Sequence, residues 1–172
     1  MRPRHVLFAL MLAVSTPVLA DGNDERARDA TEVLVEIMDI PDNSIPIRML
    51  QDAEAIAVIP DVIKAGFVVG GKHGKGLISV RGADGAWSNP SFITLNGGSF
   101  GFQAGVQSAD VILVFRSKRG VDSIVNGKFT IGADASAAAG PVGRNAQAST
   151  DAQLKAEILS YSRARGLFAG VS

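Results

Sequence analysis

The 172-residue chain contains no cysteine. Disulfides, thiolate zinc sites and cysteine nucleophiles are therefore excluded, and so is an acyl anchor on a cysteine at an export cleavage site. Histidine is nearly as scarce, with His5 and His73 the only two. Zinc would find few ligands and no D-x-D-x-D-G calcium loop occurs, so neither a metal site nor a cofactor is expected. No sign of charge is in excess, because 17 basic and 17 acidic residues cancel. Nucleic-acid binders usually carry a basic surplus, so nucleic acid is not an expected partner. No apolar run reaches the roughly 20 residues that a membrane-spanning helix needs.

What is present starts at the N-terminus. Arg2 and Arg4 precede the apolar run Val6 to Val14, which Ser15-Thr16-Pro17 breaks. Val18-Leu19-Ala20 then supplies small residues where a signal peptidase reads. This layout predicts a secretory signal peptide over 1–20, cleaved after Ala20, and a periplasmic or secreted protein. Its removal leaves 15 basic against 17 acidic residues. Residues 21–172 suit one domain with one core, stabilised by packing alone.

Ala27, Ala30, Leu34, Ile37 and Met38 recur at helical spacing and predict a helix from Asp24 to Ile40, ended by Pro41. A short helix is expected over Pro46 to Asp52, capped by Ser44 or Asn43. Ala55 to Ile59 reads as a buried strand ended by Pro60. Ala65 to Val69 and Leu77 to Arg81 flank Gly70 to Gly76, which reads as a hairpin with a basic tip. Ser91 to Leu95 is a strand and Asn96-Gly97-Gly98 a turn. Phe100 to Gln107 alternates with period two, and Val111 to Phe115 is wholly apolar. Lys118 to Val125 is a short helix closed by Asn126-Gly127. Strands are expected again over Phe129 to Ala137, Leu154 to Tyr161 and Leu167 to Val171. The links are mostly too short for parallel crossovers. The expected class is α+β: a curved, largely antiparallel, barrel-like sheet with two N-terminal helices and one short later helix.

Two motifs look catalytic and fail on context. Gly97-Gly98-Ser99-Phe100-Gly101 fits G-x-S-x-G, but a glycine-rich alternating strand follows Ser99 and His73 precedes it, so neither the elbow nor the histidine order is met. Gly74-Lys75 lacks the P-loop pattern on both sides: Val69 stands where a glycine is required, and Gly76 replaces Ser or Thr. No set of nucleophile, base and orienter is visible, so no catalytic residue is assigned and no enzyme is expected.

Several segments in order resemble one known family. They are Lys64 to Gly71, Gly74-Lys75-Gly76, Trp87 to Pro90, Gly101 to Gly105, Asp134 to Ser136, Gly140 to Arg144, and Tyr161 to Arg163 with Gly166 to Ser172. In this order and spacing the chain resembles the SYLF domain. The resemblance implies a lipid-binding domain, with phosphoinositide binding in eukaryotic members, actin binding in some fungal ones, and export in bacterial ones. Two departures stand out. The N-terminal helix carries Arg26 and Arg28 but also Asp24, Glu25, Asp29, Glu32, Glu36 and Asp39, unlike the basic amphipathic segment of some eukaryotic relatives. Family members normally continue past Gly-Val-Ser into another strand, so a C-terminally shortened member is expected.

The expected partner is a phospholipid or membrane surface. Lys64, Lys72, Lys75 and Arg81 around the glycine-rich hairpin are headgroup candidates, the alternative being solvated lysines at a turn. Arg163 and Arg165, two residues apart on a strand, are further headgroup candidates or serve to keep an edge soluble. Trp87 is a candidate for a membrane interface or a loop anchor. Gln103, Asp134, Ser136 and Tyr161 are expected to be structural, in a buried hydrogen-bond network. Gly140 and Pro141 are expected to set the backbone approach to Arg144, whose main role is a salt bridge. The expected function is an exported lipid-binding protein of the cell envelope, the alternative a structural or protein-interaction module there.

Overall fold

The structure is a computed structural model and describes residues 22–41, 44–66, 69–100, 105–127, 137–142 and 156–165. The expected signal segment, Gln103, Asp134, Ser136, Arg144 and the expected strand Leu167 to Val171 lie outside the described residues, as does most of Phe129 to Ala137.

Helix α1 spans Gly22–Asp39 and buries Ala30, Val33 and Ile37. Helix α2 is Ile47–Gln51. It has no side-chain cap, and the Ser44 hydroxyl donates to the Pro41 carbonyl instead (3.3 Å). Strands β1 (Ala55–Gly66), β2 (Val69–Val80), β3 (Ser91–Phe100) and β4 (Gly105–Phe115) follow. Helix α3 occupies Lys118–Val125, and strands β5 (Ala137–Ala139) and β6 (Ile158–Arg165) close the order. The six strands form one sheet in the order β3-β2-β1-β4-β6-β5. Every pairing is antiparallel except β5 with β6. The class is α+β as expected, and among the described residues the sheet is open.

Three readings of the sequence are corrected. Pro60 does not end β1. The strand runs through it, and the register slips between Ile59 and Val62 on the β4 side. A bulge is where a residue without an N–H interrupts no ladder bond. Asp61 beside it takes φ 47°, which few residues other than glycine adopt. Second, Gly70 to Gly76 is not a hairpin tip but the body of β2, paired with β1 from Gly66 opposite Gly70. Third, Asn96 to Gly98 continues β3 rather than turning, in register with Gly71 to His73.

The glycines of β2 answer to the bulge in β1. A Cβ on Gly76 would lie 2.1 Å from the Val58 carbonyl oxygen and 2.7 Å from Ile59 Cα. One on Gly74 would lie 2.6 Å from Ile59 Cγ2.

Each face of the sheet has its own core. Ile56, Val58, Leu77, Ile112, Val114, Leu159 and Tyr161 face α1 and α2. Ala57, Ile59, Leu113, Phe115 and Ile158 lie on the other face, joined by Val121 and Ile124 of α3. The Ser117 hydroxyl caps α3 by accepting from the Gly120 N–H (3.1 Å), and Gly127 at φ 65° follows its last turn.

Candidate functional site

A charged cluster lies on the α1 side of the sheet. Asp110 of β4 and Arg163 of β6 are cross-strand partners. Arg163 donates to Asp110 Oδ2 (3.3 Å) and to Glu36 Oε2 of α1. Asp110 has no solvent exposure, and its Oδ1 accepts the Asp61 N–H across the bulge (3.2 Å). The Ser108 hydroxyl donates to Asp61 Oδ1 (3.1 Å). The hydrogen bond to Glu36 raises the Arg163 pKa above its ordinary value, burial opposes this, and Asp110 adds to the rise. Arg163 therefore joins α1 to the sheet, with its charge committed to two carboxylates rather than free for a headgroup. Arg165 pairs with Ser108 along the ladder, and its side chain lies outside the description.

The other expected cations do not form one patch. Lys64 and Lys72 are in register on β1 and β2 and share a face. Lys75, three residues on, projects to the opposite, α1-side face, which it shares with Leu77. Arg81 is tied down: it donates from Nε to the Ala53 carbonyl (2.9 Å) and from Nη2 to the Leu50 carbonyl (3.1 Å). Its guanidinium also stacks over Trp87, 4.7 Å from the ring centroid. This joins α2 to the end of β2 and fixes the tryptophan as a loop anchor, although 42% of Trp87 remains exposed.

Tyr161 is 4% exposed, and its hydroxyl has no hydrogen-bond partner among the described residues. Its place is in apolar packing rather than in the expected polar network. Gly140 lies against the ring, where a Cβ would fall 2.1 Å from Cζ, and Pro141 beside it is buried. Burial pushes the Tyr161 phenol up from 10.0 to about 12, with Arg116 opposing. The neutral phenol is thus favoured in the folded chain. Its contribution is complete below about pH 10 and is lost as pH rises through about 12, a total on the order of 2–3 kcal/mol at roughly 1.4 kcal/mol per unit. Denaturant titrations at about pH 9 and about pH 12 should show Tyr161→Phe losing less stability than wild type by that amount. Equal losses would remove the phenol from the account.

Sequence reasoning missed Asp110, Glu36 and Asp61. A signal for Asp110 was available: it precedes the apolar run Val111 to Phe115, in phase with the core residues Ile112 and Val114. Among the described residues no group of three His, Asp or Glu could hold a metal ion, and no described helix is long and apolar enough to cross a membrane.

Comparison with known proteins decides the family. A family model described as "Ysc84: Las17-binding protein actin regulator" matches residues 96–172. SH3 domain-containing YSC84-like protein 1 of Rattus norvegicus is 36% identical over 92% of this chain and 48% of its own length. The chain belongs to the Ysc84/SYLF domain family. Protein YSC84 of Saccharomyces cerevisiae is 40% identical over 76% of this SYLF chain and 28% of its own length. SH3 domain-containing protein PJ696.02 of Schizosaccharomyces pombe is 43% identical over 74% and 30% respectively. The SYLF chain thus spans about half the length of the animal relatives it matches, and less of the fungal ones. No solved structure matches it. The family description names a binding regulator rather than an enzyme.

Proposed function

We propose that this SYLF domain is an exported, non-enzymatic binding domain of the cell envelope, periplasmic or secreted, that attaches to anionic phospholipid surfaces through the end of the paired strands β1 and β2 that carries Lys64 and Lys72. One observation carries this reading. Lys64 and Lys72 stand directly opposite each other on antiparallel strands, where like charges are destabilising. Neither has an ion-pair partner among the described residues, and an anionic surface would relieve their repulsion. At the same end of the sheet Ile63 is 48% and Val106 75% exposed, both on the other face. A strand end that is basic on one side and apolar on the other suits contact at headgroup level.

Flotation with phosphatidylglycerol-containing vesicles, against phosphatidylcholine alone, tests it. Binding should require the anionic lipid and weaken with salt, since exposed charges are screened beyond roughly 10 Å at 0.1 M. At about 1 kcal/mol per lysine near the surface, the Lys64→Glu/Lys72→Glu double variant should lose affinity by roughly a hundredfold or more. Unchanged flotation would remove this end of the hairpin from the contact.

The family description supports a second reading, a protein-interaction module of the kind its actin-regulator relatives contain. Co-sedimentation with actin filaments, unaffected by the lysine reversals, would favour it. The export component of the proposal predicts an intact mass starting at Asp21, and a chain retaining residues 1–20 would contradict it.

A further inference from the structure

We infer that the groove between α1 and β2 binds the hydrocarbon chain of a long-chain carboxylate, with Lys75 at its head. This deepens the lipid-binding reading and uses the face of the sheet opposite Lys64 and Lys72. The groove is about 290 Å³, floored by Ile56, Val58 and Leu77, with Leu34 of α1 on one side and Trp87 and Pro90 at one end. Ligand pockets run from roughly 300 to 1,000 Å³, so the space suits one chain and not a folded pair.

The polar atoms of the lining argue for hydrocarbon over peptide. The groove's two side-chain hydroxyls, Thr31 and Ser79, already donate to backbone carbonyls, of Ala27 (2.8 Å) and Ser88 (2.8 Å). Neither hydroxyl has a proton left for an incoming peptide carbonyl, which would be desolvated without a hydroxyl donor. A methylene chain carries no such cost. The Trp87 wall is fixed in advance by the stack on Arg81 and by the Ser88 hydroxyl, which accepts the Val80 N–H (3.0 Å). Pre-formed walls lower the ordering cost of binding. Phe92, in register with Leu77 and 49% exposed, extends the apolar surface toward β3.

Charge supplies the direction. Lys75 lies two residues beyond Leu77 on the same face, about 7 Å along the strand. It is exposed, without an ion pair among the described residues. A single ammonium at the end of an apolar groove matches the single charge of a carboxylate.

Trp87 is the only tryptophan in the chain, so quenching of its emission reports a ligand bound beside it, and a groove-filling variant separates this groove from the cavity on the Arg81 side of the ring. The probe is a bromine-substituted long-chain carboxylate, kept below the concentration at which it forms micelles. Saturable quenching is expected in wild type. Ser79→Phe should abolish it by filling the groove. Lys75→Glu, at an exposed position that does not endanger folding, should weaken binding about tenfold, as expected for loss of a hydrogen bond to a charged group. The methyl ester of the probe should bind about as weakly to both wild type and Lys75→Glu. Lys64→Glu/Lys72→Glu should leave the quenching intact while abolishing flotation, so the groove and the surface contact fail separately. Absent or non-saturable quenching in wild type, or full affinity for the carboxylate in Lys75→Glu, would overturn the inference. Quenching only by vesicles of a two-chain phospholipid carrying the bromine would overturn it too.

Discussion

Replacing Arg163 by methionine should lower the unfolding free energy by about 2–3 kcal/mol, less than the roughly 3–5 kcal/mol for breaking a fully buried ion pair, because the Arg163 side chain is 32% exposed and only Asp110 is buried. The size of the effect comes from Asp110, which has no exposure and would lose its cross-strand cation. Glu36 is the lesser partner. Its side chain is 39% exposed, so Glu36→Gln should cost only about 0–1 kcal/mol. The informative control is Arg163→Met with Asp110→Asn. Asparagine removes the carboxylate charge and retains an acceptor for the Asp61 N–H, so the double variant should recover most of the loss. Thermal and denaturant melts of the four proteins measure this. An Arg163→Met protein that melts like wild type would show that the pair contributes nothing. A double variant no better than the single would show that the loss comes from packing rather than charge.

Gly76→Ala is expected to destabilise the domain by about 3 kcal/mol, at or above the upper end of the usual cost of overpacking. Its added carbon would meet the Val58 carbonyl oxygen and Ile59 Cα, which are backbone atoms that no rotamer change can move aside. Gly71→Ala is the matched control on the same strand, because a Cβ there meets nothing within 4 Å. It should shift the melt by well under 1 kcal/mol. Equal effects at the two positions would mean that loss of glycine's backbone freedom, and not contact with the bulge, sets the cost.

The parts of the fold that were legible are those with local causes. Helix α3 was readable because Asn126-Gly127 stops it within one turn of its end, and the structure adds a local cap at Ser117. The stripe of α1 was readable in part: Ala30 and Ile37 are buried as expected, but Val33, which is wholly buried, was not among the residues read. The glycine-rich strands were not. Gly70 to Gly76 and Asn96 to Gly98 carry turn chemistry, and nothing local says that a bulge in β1 needs room beside it. Pro60 misled in the same way, since a proline that ends most strands is tolerated where the ladder already slips. The site suffered from parity. Lys72 and Lys75 look like one basic cluster in sequence, but an odd spacing on a strand sends them to opposite faces. The commitments of Arg163 were illegible because Glu36 lies 127 residues away in sequence and meets it only through the docking of α1.

The strand order governs how the chain can assemble. Strands β1, β2 and β3 form a meander of neighbours, able to pair by short closures. Strand β4 must then find β1, aligning Ala55 with Phe115, and must itself be covered by β6. Such long-range pairings close slowly, because chain entropy is lost before the contacts repay it. Meanwhile Val111 to Phe115 is a run of five apolar residues without charge or proline, the composition that favours intermolecular stacking. This segment is therefore a hazard for misassembly in the interval before β4 is seated between β1 and β6.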